Sequence, residues 1–407
     1  MDLLKYKLFT AYYDARKTKR NSISQLLFEI DYEEKLLELY DDIITGRYKV
    51  GRSIAFIVEE PVKREIFAAN FRDRVVHHLL YQLINPLLEC QFINDSYSCR
   101  KGRGTYYGVL RAYESLKEVT NNLTSEAYIL KLDIQGYFMN INKDLLYDKL
   151  IQMISEKDFY DKVSNDMICN KIEISGINYQ LLLKLLRTII YNSPEMNCII
   201  KGNLSDWRGL PNSKSLFKSK KGCGLPIGNL TSQLFSNVYL NSFDHYLKEE
   251  LGVKYYGRYV DDFYIFHRSK NYLKYIMRES RNYLLKEGLE LHPKKIYLQH
   301  YSKGFQFLGV YIKPYRIYIG KRTARNFKKM IDHYKKTIVR RRLSFNELEE
   351  FRSVLNSYLG MLSHYSTYRL RFNTLFKDFS CVFYQYGFFS SDLNKFILNR
   401  KNRYLKM

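Results

Sequence analysis

Hydrophobic and polar positions change period several times along the chain. Ile54, Phe56 and Val58 alternate with their neighbours, Glu59-Glu60-Pro61-Val62 breaks the run, and Lys63-Arg64-Glu65-Ile66-Phe67-Ala68 returns. This pattern predicts a β-hairpin with two cations on its return strand. Ala127-Tyr128-Ile129-Leu130-Lys131-Leu132-Asp133-Ile134 reads as a buried strand ending in a lone acid. Tyr255 to His267 holds two aromatic and β-branched runs around Asp261-Asp262, so the acid pair falls at or near a hairpin turn. Gly288–Ile296 and Phe305–Val310 read as further strands. Helical patterns occupy residues 1–50 (Leu26, Leu27, Ile30, Leu36, Leu37 and Leu39, without one clean stripe), the segment opening at Phe71, and the segment opening near Asn229 or Leu230, with Leu234, Val238 and Phe243. Others cover Leu273–Lys286 and the stretch around Leu355–His364. Residues 143–220 are the least legible: helical patterns appear only at Leu145–Met153 and Leu181–Tyr191, and the loop around Trp207 yields no role. Hairpins interleaved with helices make the fold class α+β.

The 407 residues suffice for two or three subdomains. Apolar content of 46% is that of a folded chain. A net charge of +24 points to a polyanionic partner. Aromatics reach 16%, with 38 Tyr and 25 Phe but one Trp; flat rings among cations favour nucleic acid over a membrane surface, although base composition of the gene explains the Tyr excess equally well. Six cysteines show no CxxC and no spacing paired with His, which argues against a zinc site or a disulfide framework and fits a reducing cytoplasm. No apolar run approaches the ~20 residues of a membrane span, and Met1-Asp2-Leu3-Leu4-Lys5 is not a signal peptide.

Chemistry concentrates in the acids. Adjacent carboxylates in an apolar hairpin are costly without compensation. A bound cation is the usual answer, and hard oxygen ligands suit magnesium. The lone strand-end Asp133 supplies a third acid, giving the set expected of a two-metal nucleotidyl transferase. A solvated Asp-Asp turn is the bland alternative.

The Tyr259-Val260-Asp261-Asp262 hairpin and its context resemble the reverse transcriptase family, from about Ser22 to about Arg371. The resemblance implies a right-hand polymerase: N-terminal helices and fingers over 1–125, an antiparallel palm sheet over 126–312 with a fingers insertion at about 143–220, and a helical thumb with a basic tail over 313–407. It implies that Asp133, Asp261, Asp262 and the backbone of Ile134 hold two Mg2+ ions, with Mn2+ a substitute. Lys63 and Arg64 match the cations placed on the incoming triphosphate; Arg forks onto phosphate oxygens. Phe138, five residues past Asp133, matches the ring that crowds the sugar 2′ position and selects deoxynucleotides, whereas Tyr137 faces elsewhere if that segment is extended. Lys295 matches a general-acid lysine for pyrophosphate, with Lys294 the alternative. Asp73, in Arg72-Asp73-Arg74-Val75-Val76, reads as structural, paired with a neighbouring Arg. Gly309 matches a primer-grip glycine that permits close backbone approach.

Gly224-Leu225-Pro226-Ile227-Gly228-Asn229-Leu230-Thr231-Ser232-Gln233 narrows the resemblance. Most retroelement relatives carry Gln where this chain has Ile227. The Ile-Gly-Asn-Leu-Thr-Ser-Gln form resembles reverse transcriptases of diversity-generating retroelements, and places Ile227, Gly228 and Gln233 at the nucleotide. That lineage implies error-prone, adenine-mutagenic cDNA synthesis from a template-repeat RNA. It also implies a small basic pentameric accessory variability protein as partner, and a bacterial or phage-encoded, cytoplasmic enzyme. Nucleic-acid contacts are expected from Arg100, Lys101 and Arg103 in a Gly-containing basic loop. They are also expected from Lys321, Arg325, Lys328, Arg340 and Arg341, within a stretch from Arg316 to Leu343 that sets eleven cations against one acid. Arg16-Lys17-Thr18-Lys19-Arg20 is a smaller basic cluster. The absence of a zinc-type endonuclease segment after the thumb argues against a self-sufficient mobile intron protein. Two readings compete: a reverse transcriptase of another lineage (retron, group II-like or phage defence), and a non-catalytic RNA-binding scaffold, against which the intact acid trio argues.

Overall fold

A computed structural model describes residues 2–17, 22–60, 62–377 and 384–399. Residues 18–20 of the basic cluster, Pro61 and residues 400–407 of the basic tail lie outside the described residues. The chain forms two compact units. The first comprises residues up to Gly104, Leu130–Ile265 and Asn271–Tyr297. The second comprises Thr105–Ile129, Phe266–Lys270 and the residues from Leu298 on.

In the first unit, the helix Phe71–Glu89 is the spine. Asn70 caps it by accepting from the Arg72 amide, 3.0 Å, an N-terminal start with the usual chemistry. Phe71, Val75, Leu79, Leu80, Leu83 and Ile84 are buried at helical spacing. They pack against the helices Leu3–Arg16 and Leu230–His245. The latter helix buries Leu234, Phe235, Val238, Tyr239, Leu240 and Phe243 on more than one face, so it lies inside the unit.

The predicted hairpin forms: β1 (Ser53–Val58) pairs antiparallel with β2 (Arg64–Ala68). β3 (Tyr128–Asp133) follows the helix Thr105–Val119. β4 (Cys198–Ile200) adds to β1 in parallel, giving the order β2-β1-β4. β5 (Tyr255–Tyr259) and β6 (Asp262–His267) form the acid-bearing hairpin, and β6 neighbours β3. Between β3 and β4 run the helices Lys143–Met153, Glu156–Asn170 and Tyr179–Ile190. The middle helix had no clear periodic pattern in the sequence because it buries only Phe159 and Val163.

The chain enters the second unit for the last time at Leu298, within β7 (Tyr297–His300). It contains a three-stranded sheet of order β10-β9-β8, from β8 (Phe305–Phe307), β9 (Val310–Lys313) and β10 (Arg316–Ile319). The β8–β9 turn places Leu308 and Gly309 at φ +48° and +84°. Gly309 therefore serves the turn; a Cβ there would meet nothing, and the close backbone approach falls instead on Gly320, whose Cβ would collide with the Gly309 carbonyl. The helices Lys321–Arg340 and Phe345–Ser363 bury Phe327, Ile331, Phe351, Leu355 and Leu359 in one core with the hairpin of β11 (Gly387–Phe389) and β12 (Phe396–Leu398). The helix Thr105–Val119, assigned to the fingers in the sequence, packs in this unit: the Tyr113 hydroxyl donates to the Pro314 carbonyl, 3.1 Å. None of the helices among the described residues is long and apolar enough to cross a membrane.

Candidate active site

Asp133 closes β3, and Asp261 and Asp262 sit at the β5–β6 turn. The turn is held against β3 by the Ile134 amide, which donates to the Asp261 carbonyl at 3.1 Å. Three acids separated by some 130 residues in sequence are thereby brought to one place. Burial pushes the Asp261 carboxyl up to about 6, reinforced by the charge of Asp133. Burial raises Asp262 to about 6 as well, against the opposing pull of Lys131. Two lysines answer these charges. Lys131 Nζ lies 2.9 Å from Asp262 Oδ1, and Lys295 Nζ donates to both Asp133 oxygens at 2.9 and 3.0 Å. Lys295, not Lys294, is thus the lysine at the acids.

Among the described residues no three His, Cys, Asp or Glu side chains converge as a ready metal site. The donor chemistry nonetheless fits divalent ions: hard carboxylate oxygens, crowded enough to raise one another's affinity for positive charge, already balanced by two ammonium groups. Asp262 Oδ1 is buried without a hydrogen bond of good geometry and is answered by the Lys131 charge.

The turn itself is strained. Val260 has φ +57°, a region that a β-branched residue occupies at a cost of about 1–3 kcal/mol. Both its backbone groups are clasped: its carbonyl accepts from Arg258 Nη1 at 3.0 Å, and its amide donates to Ser98 Oγ at 3.3 Å. Arg258 is fully buried and forks onto Asp244, Nε to Oδ1 at 2.7 Å and Nη2 to Oδ2 at 2.5 Å. Burial opposes its charge, but Asp244 more than compensates and keeps the guanidinium protonated. Tyr256 donates to the same Asp244. The sequence reading missed Arg258, Asp244 and Ser98. An Arg inside an apolar strand, with an Asp late in an apolar helix, was the available signal.

The loop expected to bind nucleic acid does something different in part. Tyr97 N donates to the Arg258 carbonyl and Arg258 N to the Asp95 carbonyl, 2.9 and 2.8 Å, so residues 95–97 run beside β5. Arg100 is a correction: it is buried, and its guanidinium holds Glu89 and the carbonyls of Ile93 and Ser96. Its charge organises the loop and faces no solvent partner. Arg103 holds Asn94, and Lys101 is exposed.

The remaining sequence candidates up to Gln233 belong to the same unit. Lys63 is held by Glu59 at 2.9 Å and by the Arg208 carbonyl at 3.0 Å. Arg64, exposed at the start of β2, is close enough for its charge to act on Tyr259, next to the strained turn. Phe138 lies in a short helix, Tyr137–Asn140, that follows left-handed Gly136, so the segment is helical and not extended. Tyr137 is buried with its hydroxyl on the Ser236 carbonyl. Phe138 and Ile227 pack against the same apolar cluster, built from Ala55, Phe67, Met139 and Leu216. The Ile227 carbonyl accepts from the Phe67 amide, 2.9 Å. Gly228 has φ +127°, and a Cβ there would sit 3.0 and 3.1 Å from Ile66 and the Phe67 carbonyl, so β2 requires the glycine. The Gln233 side chain is exposed and accepts from Cys99 Sγ at 3.3 Å. Asp73 is buried as a structural acid. Its partners are the Tyr48 hydroxyl at 2.8 Å and the Gly51 amide at 2.9 Å, while Arg72 pairs with Asp42. In the other unit Lys321, Arg325, Lys328 and Arg340 are exposed on their helix, and Arg341 pairs with Glu347.

Comparison with known proteins identifies the family. Residues 62–312 match the family described as "Reverse transcriptase (RNA-dependent DNA polymerase)". Protein YkfC of Escherichia coli (strain K12) is 22% identical over 71% of this chain and 74% of its own length. The putative COX1/OXI3 intron 1 protein of Saccharomyces cerevisiae is 23% identical over 64% of this chain, which spans only 32% of that protein. Among solved structures, telomerase from Candida albicans superposes over 87% of this chain and 61% of its own, at 13% identity and a TM-score of 0.47. The family match covers well over half of the chain and contains all three acids, the return strand β2 and Lys295: this chain belongs to the reverse transcriptases, the RNA-directed DNA polymerases.

Proposed function

We propose that the chain is the reverse transcriptase of a diversity-generating retroelement, copying a template-repeat RNA into cDNA with frequent errors opposite adenine. The observation that carries the polymerase chemistry is the meeting of Asp133 with the Asp261–Asp262 turn. Asp133, Asp261, Asp262 and the Ile134 backbone would hold two divalent ions, Mg2+ by preference or Mn2+. When bound, such ions activate the primer 3′-hydroxyl and neutralise charge on the triphosphate. The chain's own residues do the positioning. Arg64 and Lys63 bind the triphosphate from the β1–β2 hairpin, and Phe138 screens the sugar. Lys295, within reach of Asp133, supplies a proton near the departing pyrophosphate. Partners are the template RNA, deoxynucleoside triphosphates and a small basic pentameric accessory protein, in a bacterial or phage-infected cytoplasm.

The mutagenic reading rests on Ile227. Its side chain joins the apolar cluster that also supports Phe138. A hydrogen-bonding residue there would penalise a mispaired base through an unsatisfied polar group; an aliphatic one does so weakly. Primer extension on RNA, with products sequenced base by base, tests this. The expected outcome is that Ile227→Gln lowers misincorporation opposite adenine several-fold with extension retained. Unchanged error at adenine would remove Ile227 from the account.

A further inference from the structure

We propose that residues 201–221 form a platform for single-stranded RNA, held on the β1–β2 hairpin by the buried carboxylate of Glu65. The inference rests on the reading above that an RNA template is copied, and it adds where the unpaired strand is gripped.

The clamp is unusually complete. Glu65, on β2, is 1% exposed. Oε2 accepts from the Trp207 indole Nε1–H and from the Ser215 hydroxyl, both at 2.7 Å, and Oε1 accepts from the Leu216 amide. A buried carboxylate is costly, and three donors from one segment are what offset it. Two further anchors fix the same segment. The Arg208 carbonyl accepts from Lys63, and the Ser213 carbonyl lies so close to Gly136 that a Cβ there would stand 2.5 Å away. Leu216 and Trp207 complete the cluster beneath Phe138 and Ile227. The segment is therefore bound to the hairpin and to the turn that follows Asp133.

Its outer surface is built for a polyanion. Lys201, Arg208, Lys214, Lys218, Lys220 and Lys221 are all exposed, and among the described residues none of them has an ion-pair partner. The one acid in the segment, half-buried Asp206, accepts from the Asn203 amide in a local capping box. Six cations without ion-pair partners against one acid exceed ordinary surface mixing. An aromatic face stands among them: Phe217 is 37% exposed, with ring centroids 5.3 Å from Phe67 and 6.2 Å from Trp207. Cations tracking phosphates beside an open ring suit an unpaired strand, whose bases offer their faces; in a duplex those faces are already stacked.

Binding of a labelled oligouridine and of a blunt RNA–DNA duplex, measured across salt concentrations on the full chain, tests the proposal. The combined variant Lys214→Ala, Lys218→Ala, Lys220→Ala, Lys221→Ala alters only exposed side chains. It is expected to weaken oligouridine binding about tenfold or more, with the log–log salt slope shallower by ~0.7 for each phosphate no longer neutralised. Duplex affinity is expected to hold. Unchanged oligouridine affinity, or an equal loss on duplex, overturns the platform. Glu65→Gln keeps every cation but loosens the clamp. Trp207 is the only tryptophan, so its emission should shift to the red, and oligouridine affinity should fall with it. A red shift with unchanged affinity would show that the clamp does not place the platform. A native chain that binds no RNA at all would sink the functional reading itself, whereas RNA binding that ignores the lysine variant sinks only this inference.

Discussion

At the scale of single residues, the chain trades stability for a poised turn. Asp261 and Asp262 are like charges brought beside Asp133, and burial already disfavours the ionisation of both members of the pair. Asp261→Asn should therefore abolish primer extension, by at least ~10³-fold, while leaving the melting temperature equal or higher, because a repelled buried charge is removed. A melt that collapses together with activity would mean that Asp261 is structural. Arg258 acts one step back from the chemistry. Its fork onto Asp244 leaves Nη1 free to hold the Val260 carbonyl. Lysine keeps the charge but carries its three donors on one nitrogen, so it cannot fork onto Asp244 and reach the Val260 carbonyl at once. Arg258→Lys is expected to lower kcat ten- to a hundredfold with KM for the nucleotide within twofold, read by steady-state extension. A rise in KM with kcat intact would place Arg258 in nucleotide binding instead.

At the scale of elements, the helices Phe71–Glu89 and Leu230–His245 meet through a buried histidine. His77 Nδ1 lies 2.7 Å from Thr231 Oγ1, and burial, helped by Arg74, pushes the imidazole down to about 3. The unfolded chain takes up this proton near pH 6.5, and the folded chain does not. Stability contributed by neutral His77 is thus full above pH 6.5 and is lost as pH falls toward 3, by up to ~1.4 kcal/mol per pH unit. His77→Asn should flatten that part of the profile in urea melts between pH 7 and 5; parallel profiles would refute it. Elements were legible where one pattern fixed them. The β1–β2 hairpin, the acid turn and the helix after Asn229 each carry alternation, caps or Gly-Pro punctuation. Residues 143–220 were not legible because their order is tertiary. The Trp207 loop is set by Glu65, some 140 residues away, and β4 exists only because β1 offers it an edge. Arg100 misled for a related reason: a basic Gly-rich loop looks the same in sequence whether its arginine faces phosphate or reaches inward to Glu89.

At the scale of the whole molecule, a net charge of +24 is less informative than its distribution. Residues 29–42 hold seven acids and one lysine, so the polyanion does not bind there. The helix Lys321–Arg340 is the opposite case. Phe327, Ile331 and Ile338 turn into the core of their unit, and Lys321, Arg322, Arg325, Lys328, Lys329, Lys336 and Arg340 face out. Among the described residues the helix is one exposed cationic surface, and residues 201–221 are another. The two differ in what stands among the charges: Phe217 offers an open ring in one, whereas the helix presents a straight row of charges suited to the regular phosphates of a duplex. The combined variant Lys321→Ala, Arg325→Ala, Lys328→Ala should therefore weaken blunt RNA–DNA duplex binding, with the salt slope shallower by up to ~0.9 for each phosphate no longer neutralised, and leave oligouridine binding nearly intact. Thermal melts should not move, since all three side chains are exposed. The reverse preference, with oligouridine binding abolished and duplex binding kept, would assign the helix to the unpaired strand and leave the duplex without a cationic track.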